Sequence, residues 1–211
     1  TLELYYQDEV IETINFTIFD GYTWNFEDNA FFDEYWEVNL SSEDVEYIKS
    51  YQENNVLSID RVDINGAEYS NTLKYFSLDV NVIPDYTDAT NSYNGFEIYV
   101  EYGENNTRME IRFRKNGKIE FDNLGNKFDT GDVDLTKPYK VNIDISTTEF
   151  TLTLTQEEKT LTMVPATEED FETNYPDFND AVKTIEISTH TSESPVYIES
   201  VSLKDHSNLV D

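Results

Sequence analysis

The chain has no cysteine among its 211 residues. That excludes a disulfide framework and any thiolate-bound metal, and it leaves the redox compartment unmarked. Seven glycines and five prolines are too few for a collagen-like or low-complexity chain. Basic residues are scarce as well: 14 Lys and Arg stand against 44 Asp and Glu, for a formal charge of -30. Such a surface repels phosphate backbones and anionic lipid, so nucleic acid is excluded as a partner. No apolar run approaches the roughly 18 residues of a membrane span, so membrane insertion is not expected. No signal-peptide pattern is visible, and a start at Thr1 rather than Met reads as a processed form or an excised domain. Histidine occurs only at 190, in a Ser/Thr-rich stretch, and at 206, near the end. Both are expected to be exposed and inert.

What is present points to a folded core. Hydrophobic residues make up 38% of the chain, with 15 Tyr, 13 Phe and 2 Trp, which is incompatible with disorder. The length suits one all-β domain. The acidic coat favours solubility in salt and suits an extracellular or cell-surface setting.

The informative stretch runs from Phe96 to Asp122. Three of the four arginines, Arg108, Arg112 and Arg114, alternate there with Met109, Ile111 and Phe113. Successive side chains of a strand point to opposite faces, so this is a half-buried strand with the arginines and Glu110 outside. On the preceding strand Phe96, Ile98, Val100 and Tyr102 point inward. Facing residues must share a face, which sets Glu101 opposite Arg108 and Glu97 opposite Arg112. On the other side Lys115-Asn116-Gly117 reads as a three-residue hairpin loop with Gly117 left-handed. It matches Phe113 to Ile119, Arg112 to Glu120 and Ile111 to Phe121. An exposed ladder of this kind is worth at most about 1 kcal/mol per pair. Two outer positions are left without an opposite charge. Arg114, with Lys115 and Lys118, forms a basic tip suited to a carboxylate or sulfate. Glu110 faces Asp122, a pair that suits a cation or a shared proton.

Along the rest of the chain, two alternating runs before Gly21 read as an edge hairpin or as a strand for a neighbouring domain or subunit. Tyr22, Trp24 and Phe26, then Trp36, Val38 and Leu40, alternate inward, with both tryptophans in the core. Ser41 to Lys49 has the pattern of a capped helical turn. Phe76, Leu78, Val80 and Val82 point in and Tyr75, Ser77, Asp79 and Asn81 out, until Pro84 ends the strand. Residues 85–94 are a candidate binding loop. Asp129, Asp132 and Asp134 lack the spacing of a calcium loop and read as turn residues. Residues 139–145, 150–154, 161–163, 185–187 and 196–203 supply further strands, and 166–180 a loop with a helical turn. About a dozen short strands without βαβ alternation predict a two-sheet antiparallel sandwich with one or two helical turns.

Four stretches, Trp24-Asn25-Phe26-Glu27-Asp28, Phe76-Ser77-Leu78-Asp79-Val80, residues 139–145 and residues 195–204, resemble the concanavalin A-like lectin and glucanase jelly rolls, the superfamily that includes laminin-G-like domains. The resemblance spans residues 22–205, leaving 1–21 as a separate segment or linker and 206–211 as a tail. It implies a carbohydrate-binding module or glycan-processing enzyme with a concave glycan face, and a structural calcium near the first and last strands. By position its ligands are Asp28 and Asp205. The glutamate-rich strand motif of the glucanases is absent. Arg108-Met109-Glu110-Ile111-Arg112 copies the Arg-x-Glu-x-Arg strand of alginate-lyase-like members, but their Tyr and His motifs are missing. The reading is therefore a non-catalytic, lectin-like glycan-binding domain of a secreted or surface protein. Tyr75, Asp79, Tyr99, Arg108, Arg112, Arg114, Asn142 and Asp144 are its ligand-binding candidates, a single face requiring that their strands be neighbours. The alternatives are a filament or surface-layer subunit exchanging its N-terminal strand, and a polysaccharide hydrolase or lyase using Glu110 with Asp122.

Overall fold

The computed structural model describes residues 2–6, 9–14, 22–24, 26, 36–40, 48–51, 54–58, 62–66, 73–87, 95–103, 107–121, 127–167, 169, 181–189 and 196–206. Before Leu73, side chains are described only at Thr23, Phe26, Ile48, Ser50, Tyr51 and residues 55–58. Every described element is a strand, and the chain forms the expected two-sheet antiparallel sandwich. One sheet has seven strands in the order β12 (Lys127–Asp129), β11 (Lys118–Phe121), β10 (Thr107–Arg114), β9 (Gly95–Tyr102), β16 (Val182–Thr189), β7 (Val62–Gly66) and β4 (Trp36–Leu40). The second runs β15 (Lys159–Thr167), β14 (Glu149–Gln156), β13 (Tyr139–Ile145), β8 (Phe76–Pro84), β17 (Val196–Asp205), β6 (Asn54–Ser58) and β5 (Ile48–Tyr51). An eighth strand, β3 (Tyr22–Trp24), pairs with the C-terminal half of β17.

Alternation decides which side chains face the core. In β8 buried and half-buried positions alternate over all nine residues, because every second side chain of a pleated strand meets the opposite sheet. The sheets meet through aromatic rings. Phe96 and Phe113 stack at 4.5 Å on one sheet, and Tyr139 of the other lies tilted 6.2 and 6.4 Å from them. Phe121 meets Phe150 edge-on at 5.7 Å, the arrangement that places a ring's positive edge on the other's negative face.

The central register is as expected from the sequence. Arg108 lies opposite Glu101, Arg112 opposite both Glu97 and Glu120, and Phe113 opposite Phe96 and Ile119. Gly117 has φ +78° and its N–H donates to the Arg114 carbonyl, closing the three-residue loop. Gly95 is required for another reason: a Cβ there would lie 1.8 Å from the Phe113 carbonyl oxygen.

Several expectations are corrected. Ile48 and Lys49 belong to strand β5, paired with Leu57 and Val56, and not to a helical turn; residues 41–47 lie outside the described residues. The strand expected to stop before Pro165 continues through it to Thr167. It is the edge strand of its sheet, where a missing N–H costs no ladder bond. Strands β7 and β12 were not foreseen. The N-terminal runs, β1 (Leu2–Tyr6) and β2 (Glu9–Ile14), pair with each other as a separate two-stranded sheet and do not form an edge of either large sheet. Trp24 and Trp36 sit on β3 and β4, and their side chains lie outside the described residues, as do residues 88–94 of the expected binding loop and His190.

Candidate functional site

The predicted ligand-binding residues divide between two faces. Tyr99, Arg108, Arg112 and Arg114 lie on β9 and β10 of the seven-stranded sheet, whereas Asp79, Asn142 and Asp144 lie on β8 and β13 of the other, with Tyr75 just before β8. Outer faces of opposed sheets point away from each other, so the eight residues do not form one site.

On the seven-stranded sheet, register lines up Ser188, Glu97, Arg112, Glu120 and Lys127 across β16, β9, β10, β11 and β12. From Glu97 to Lys127 the sign of charge alternates, the arrangement that stabilises cross-strand pairs. Arg112 Nε lies 3.5 Å from Glu97 Oε1 and is also ion-paired with Glu110. Lys127 Nζ donates to Glu120 Oε1 at 2.7 Å. Arg114 lies off this row, opposite Gly95 and Lys118, and reaches diagonally to Glu97 at 3.1 Å and to Glu120 at 3.3 Å. Tyr99 Oη donates to Glu97 Oε2, and Arg108 lays its guanidinium 3.5 Å above the Tyr99 ring while reaching Glu186 at 3.5 Å.

The solvated ladder and the basic tip are both corrected by this geometry. Glu97 is 2% and Arg114 3% exposed, and Glu110 and Ser188 are also buried. Arg114 is held between two carboxylates, Lys118 pairs with Asp129, and Lys115 Nζ donates to the Tyr86 carbonyl at 3.2 Å. Glu110 is ion-paired along its own strand, and its expected partner Asp122 lies outside the described residues. Burial pulls the Glu120 carboxyl upward, but Lys127 and Arg114 outweigh it and hold the group below the ordinary glutamate range. Tyr99 is driven far above the usual phenol value by burial, then by its bond to Glu97 and the charges of Glu97 and Glu110. It therefore stays a donor. The face is an array of paired charges in which Arg108 and Lys127, with side chains 45% and 63% exposed, are accessible members.

The opposite face carries short polar side chains. Asn142 Nδ2 donates to Asp79 Oδ1 at 3.0 Å, where Lys140 Nζ also arrives at 3.0 Å. Ser77 Oγ donates to Asp144 Oδ2 at 2.7 Å and lies 2.6 Å from His206 Nε2. His206 is therefore half-buried and bonded, contrary to its expected exposure. The Ser-His-Asp combination is not arranged for nucleophilic attack. Asp144 and His206 Nε2 both meet the one hydroxyl, whereas a relay needs the acid on the second ring nitrogen.

Of the calcium candidates, Asp205 is exposed at the end of β17 and Asp28 lies outside the described residues. Among the described residues no three carboxylate or imidazole groups converge as an ion would require. Asp134 accepts from the Thr136 N–H at 3.0 Å and from its hydroxyl at 2.6 Å, as a turn residue does.

No protein-family model and no curated protein sequence matches this chain. Solved structures do match it. The seed lectin of Lotus tetragonolobus is 13% identical, with a TM-score of 0.58 over 87% of this chain and 97% of the lectin. Winged bean acidic lectin, complexed with methyl-α-D-galactose, is 10% identical, with a TM-score of 0.56 over 87% and 96%. A family 16 endo-glucanase from Bacteroides ovatus is also 10% identical, with a TM-score of 0.56 over 86% and 99%. The fold is thus the concanavalin A-like lectin and glucanase jelly roll anticipated from the sequence.

Proposed function

We propose that this chain is a non-catalytic, lectin-like carbohydrate-binding domain of a secreted or surface protein, taking a glycan on the outer face of the seven-stranded sheet. The observation that carries the reading is the Arg108–Tyr99 platform seated on a charge-compensated array. Donors and acceptors already fixed by one another lose little freedom when a sugar docks, which is the usual source of specificity in such sites. Four carboxylates of the face, Glu97, Glu110, Glu120 and Glu186, are each engaged by a cation. A glycoside hydrolase needs one carboxyl that carries a proton toward the leaving group, and guanidinium pairing opposes that state. The charge of -30 suits a saline, extracellular setting.

The test is a glycan array run with Arg108→Ala, whose exposed side chain can be removed without opening the buried network. Loss of a positive signal is expected, and a signal unchanged by both Arg108→Ala and Tyr99→Ala removes the face. A polysaccharide hydrolase or lyase is the second reading, supported by the likeness of the fold to that of the family 16 endo-glucanase. Polysaccharide turnover abolished by Glu110→Gln would establish it in place of the first.

A further inference from the structure

Two buried phenols belong to neither outer face. Tyr86 is 6% and Tyr139 4% exposed, and both are part of the central apolar cluster. Both hydroxyl oxygens are shut off from solvent, and neither has a hydrogen-bond partner among the described residues. A hydroxyl in that condition disfavours the folded state by a factor of roughly 5 to 150, because its bonds to bulk water are lost without replacement. A buried tyrosine ordinarily meets a partner for its O–H.

The topology brings the two rings to the same end of the sandwich. Tyr139 opens β13 and lies opposite Val82, close to the end of β8 at Pro84, and Tyr86 stands just past that end. Both are also tied to the end of β10. The Tyr139 ring lies 6.4 Å from that of Phe113, and the Tyr86 carbonyl accepts from Lys115 Nζ at 3.2 Å. Burial pushes both phenols above the ordinary tyrosine value. The Arg114 guanidinium draws Tyr86 part of the way back, whereas the nearness of Tyr86 adds to the rise at Tyr139. The two hydroxyls therefore lie close enough to sense each other, yet they do not bond directly. Each stays a neutral O–H that donates one hydrogen bond and accepts another.

The surroundings restrict what joins them. An ion would lie unpaired beside the rings of Phe96 and Phe113, which pack on Tyr139. An apolar molecule would leave both hydroxyls as they are. Neither oxygen is open to solvent, so the occupant is small. Water meets all three conditions, since a buried water needs two to four polar partners and the two phenols supply two.

We propose that one internal water bridges the Tyr86 and Tyr139 hydroxyls, accepting from one and donating to the other, and so pins the β8–β9 connection to the start of β13. The site is independent of the carbohydrate reading. The test is equilibrium urea unfolding of the full chain carrying Tyr86→Phe, Tyr139→Phe or both, because a bridged and a dry site differ in sign. With the bridge, either substitution strips the water of one partner and leaves the other phenol poorly satisfied, so the unfolding constant should rise about tenfold in each single variant. The double variant should cost less than the two singles added together, since no hydroxyl is then left behind. Hydroxyls buried without water give the reverse, for each substitution removes an unmatched group and stabilises the fold. A high-resolution crystal structure is the second readout, with one water oxygen expected within about 3 Å of both phenol oxygens. Single variants that are unchanged or stabilised overturn the proposal. So does a crystal structure in which the hydroxyls bond directly to each other, bind separate waters, or have no water between them.

Discussion

Arg114→Met tests whether the buried charge network is structural. The methionine fills similar space but takes from Glu97, whose side chain is 3% exposed, the guanidinium at 3.1 Å, leaving Arg112 at 3.5 Å and the Tyr99 hydroxyl beside it. It also takes the guanidinium from Glu120, leaving that carboxylate to Lys127. Breaking a buried pair by removing one partner costs about 3–5 kcal/mol, because the remaining charge stays out of water. With an m-value of about 3 kcal/mol/M, the upper end for urea, the unfolding midpoint falls by about 1–1.7 M. The loss should change little with added salt, since shielded charges escape screening. Adding Glu97→Gln should recover part of the loss, as it removes the charge left alone. Equilibrium urea unfolding followed by tryptophan fluorescence measures all three variants. A cost below about 1 kcal/mol for Arg114→Met, the range of exposed pairs, would show that water reaches the network and would refute the reasoning.

Two further outcomes follow from single positions. Glu120 is held below the ordinary glutamate value of 4.5, so its contribution is fully present above that pH and is lost as pH falls through the lowered value. Urea midpoints should therefore drop on acidification below about pH 4.5 with a shallower slope in Glu120→Gln, and identical slopes would exclude the ladder as the cause. Glu157 has φ +54° in the turn joining Gln156 to Lys159. The left-handed conformation costs about 1–2 kcal/mol for a residue with a Cβ, and glycine gives back about 0.5–1 through its freer unfolded state. Glu157→Gly should then raise stability by about 0.5–1 kcal/mol in the same unfolding assay, and a destabilised variant would contradict this.

Period-two alternation made the inside and outside of the central strands legible, and the Gly117 loop fixed the register of β10 against β11. Alternation does not say which sheet a strand joins. Strands β8 and β9 follow each other in the chain yet enter opposite sheets, which is why Asp79 and Tyr99 look like neighbours in sequence and part in space. The burial of Arg114 was missed because only directly opposite residues were weighed. Its carboxylates are diagonal, two positions beyond Gly95 and Lys118, within reach of a long side chain. Strand β12 is three residues inside an acidic, glycine-containing stretch, too short for alternation to register. His206 looked terminal, but β17 extends to Asp205 and the His206 N–H donates to the Tyr75 carbonyl, which brings the ring onto Ser77.

Pro165 on β15 and the brevity of β12 have a common consequence for a chain built so largely of strands. Each closes one end of a sheet. The proline withholds a donor from any strand that might add there, and three residues carrying Lys127 and Asp129 offer too short and too charged a template. Those two margins are thereby guarded against growth into fibrils, which allows copies of the molecule to be crowded together without fusing at either border.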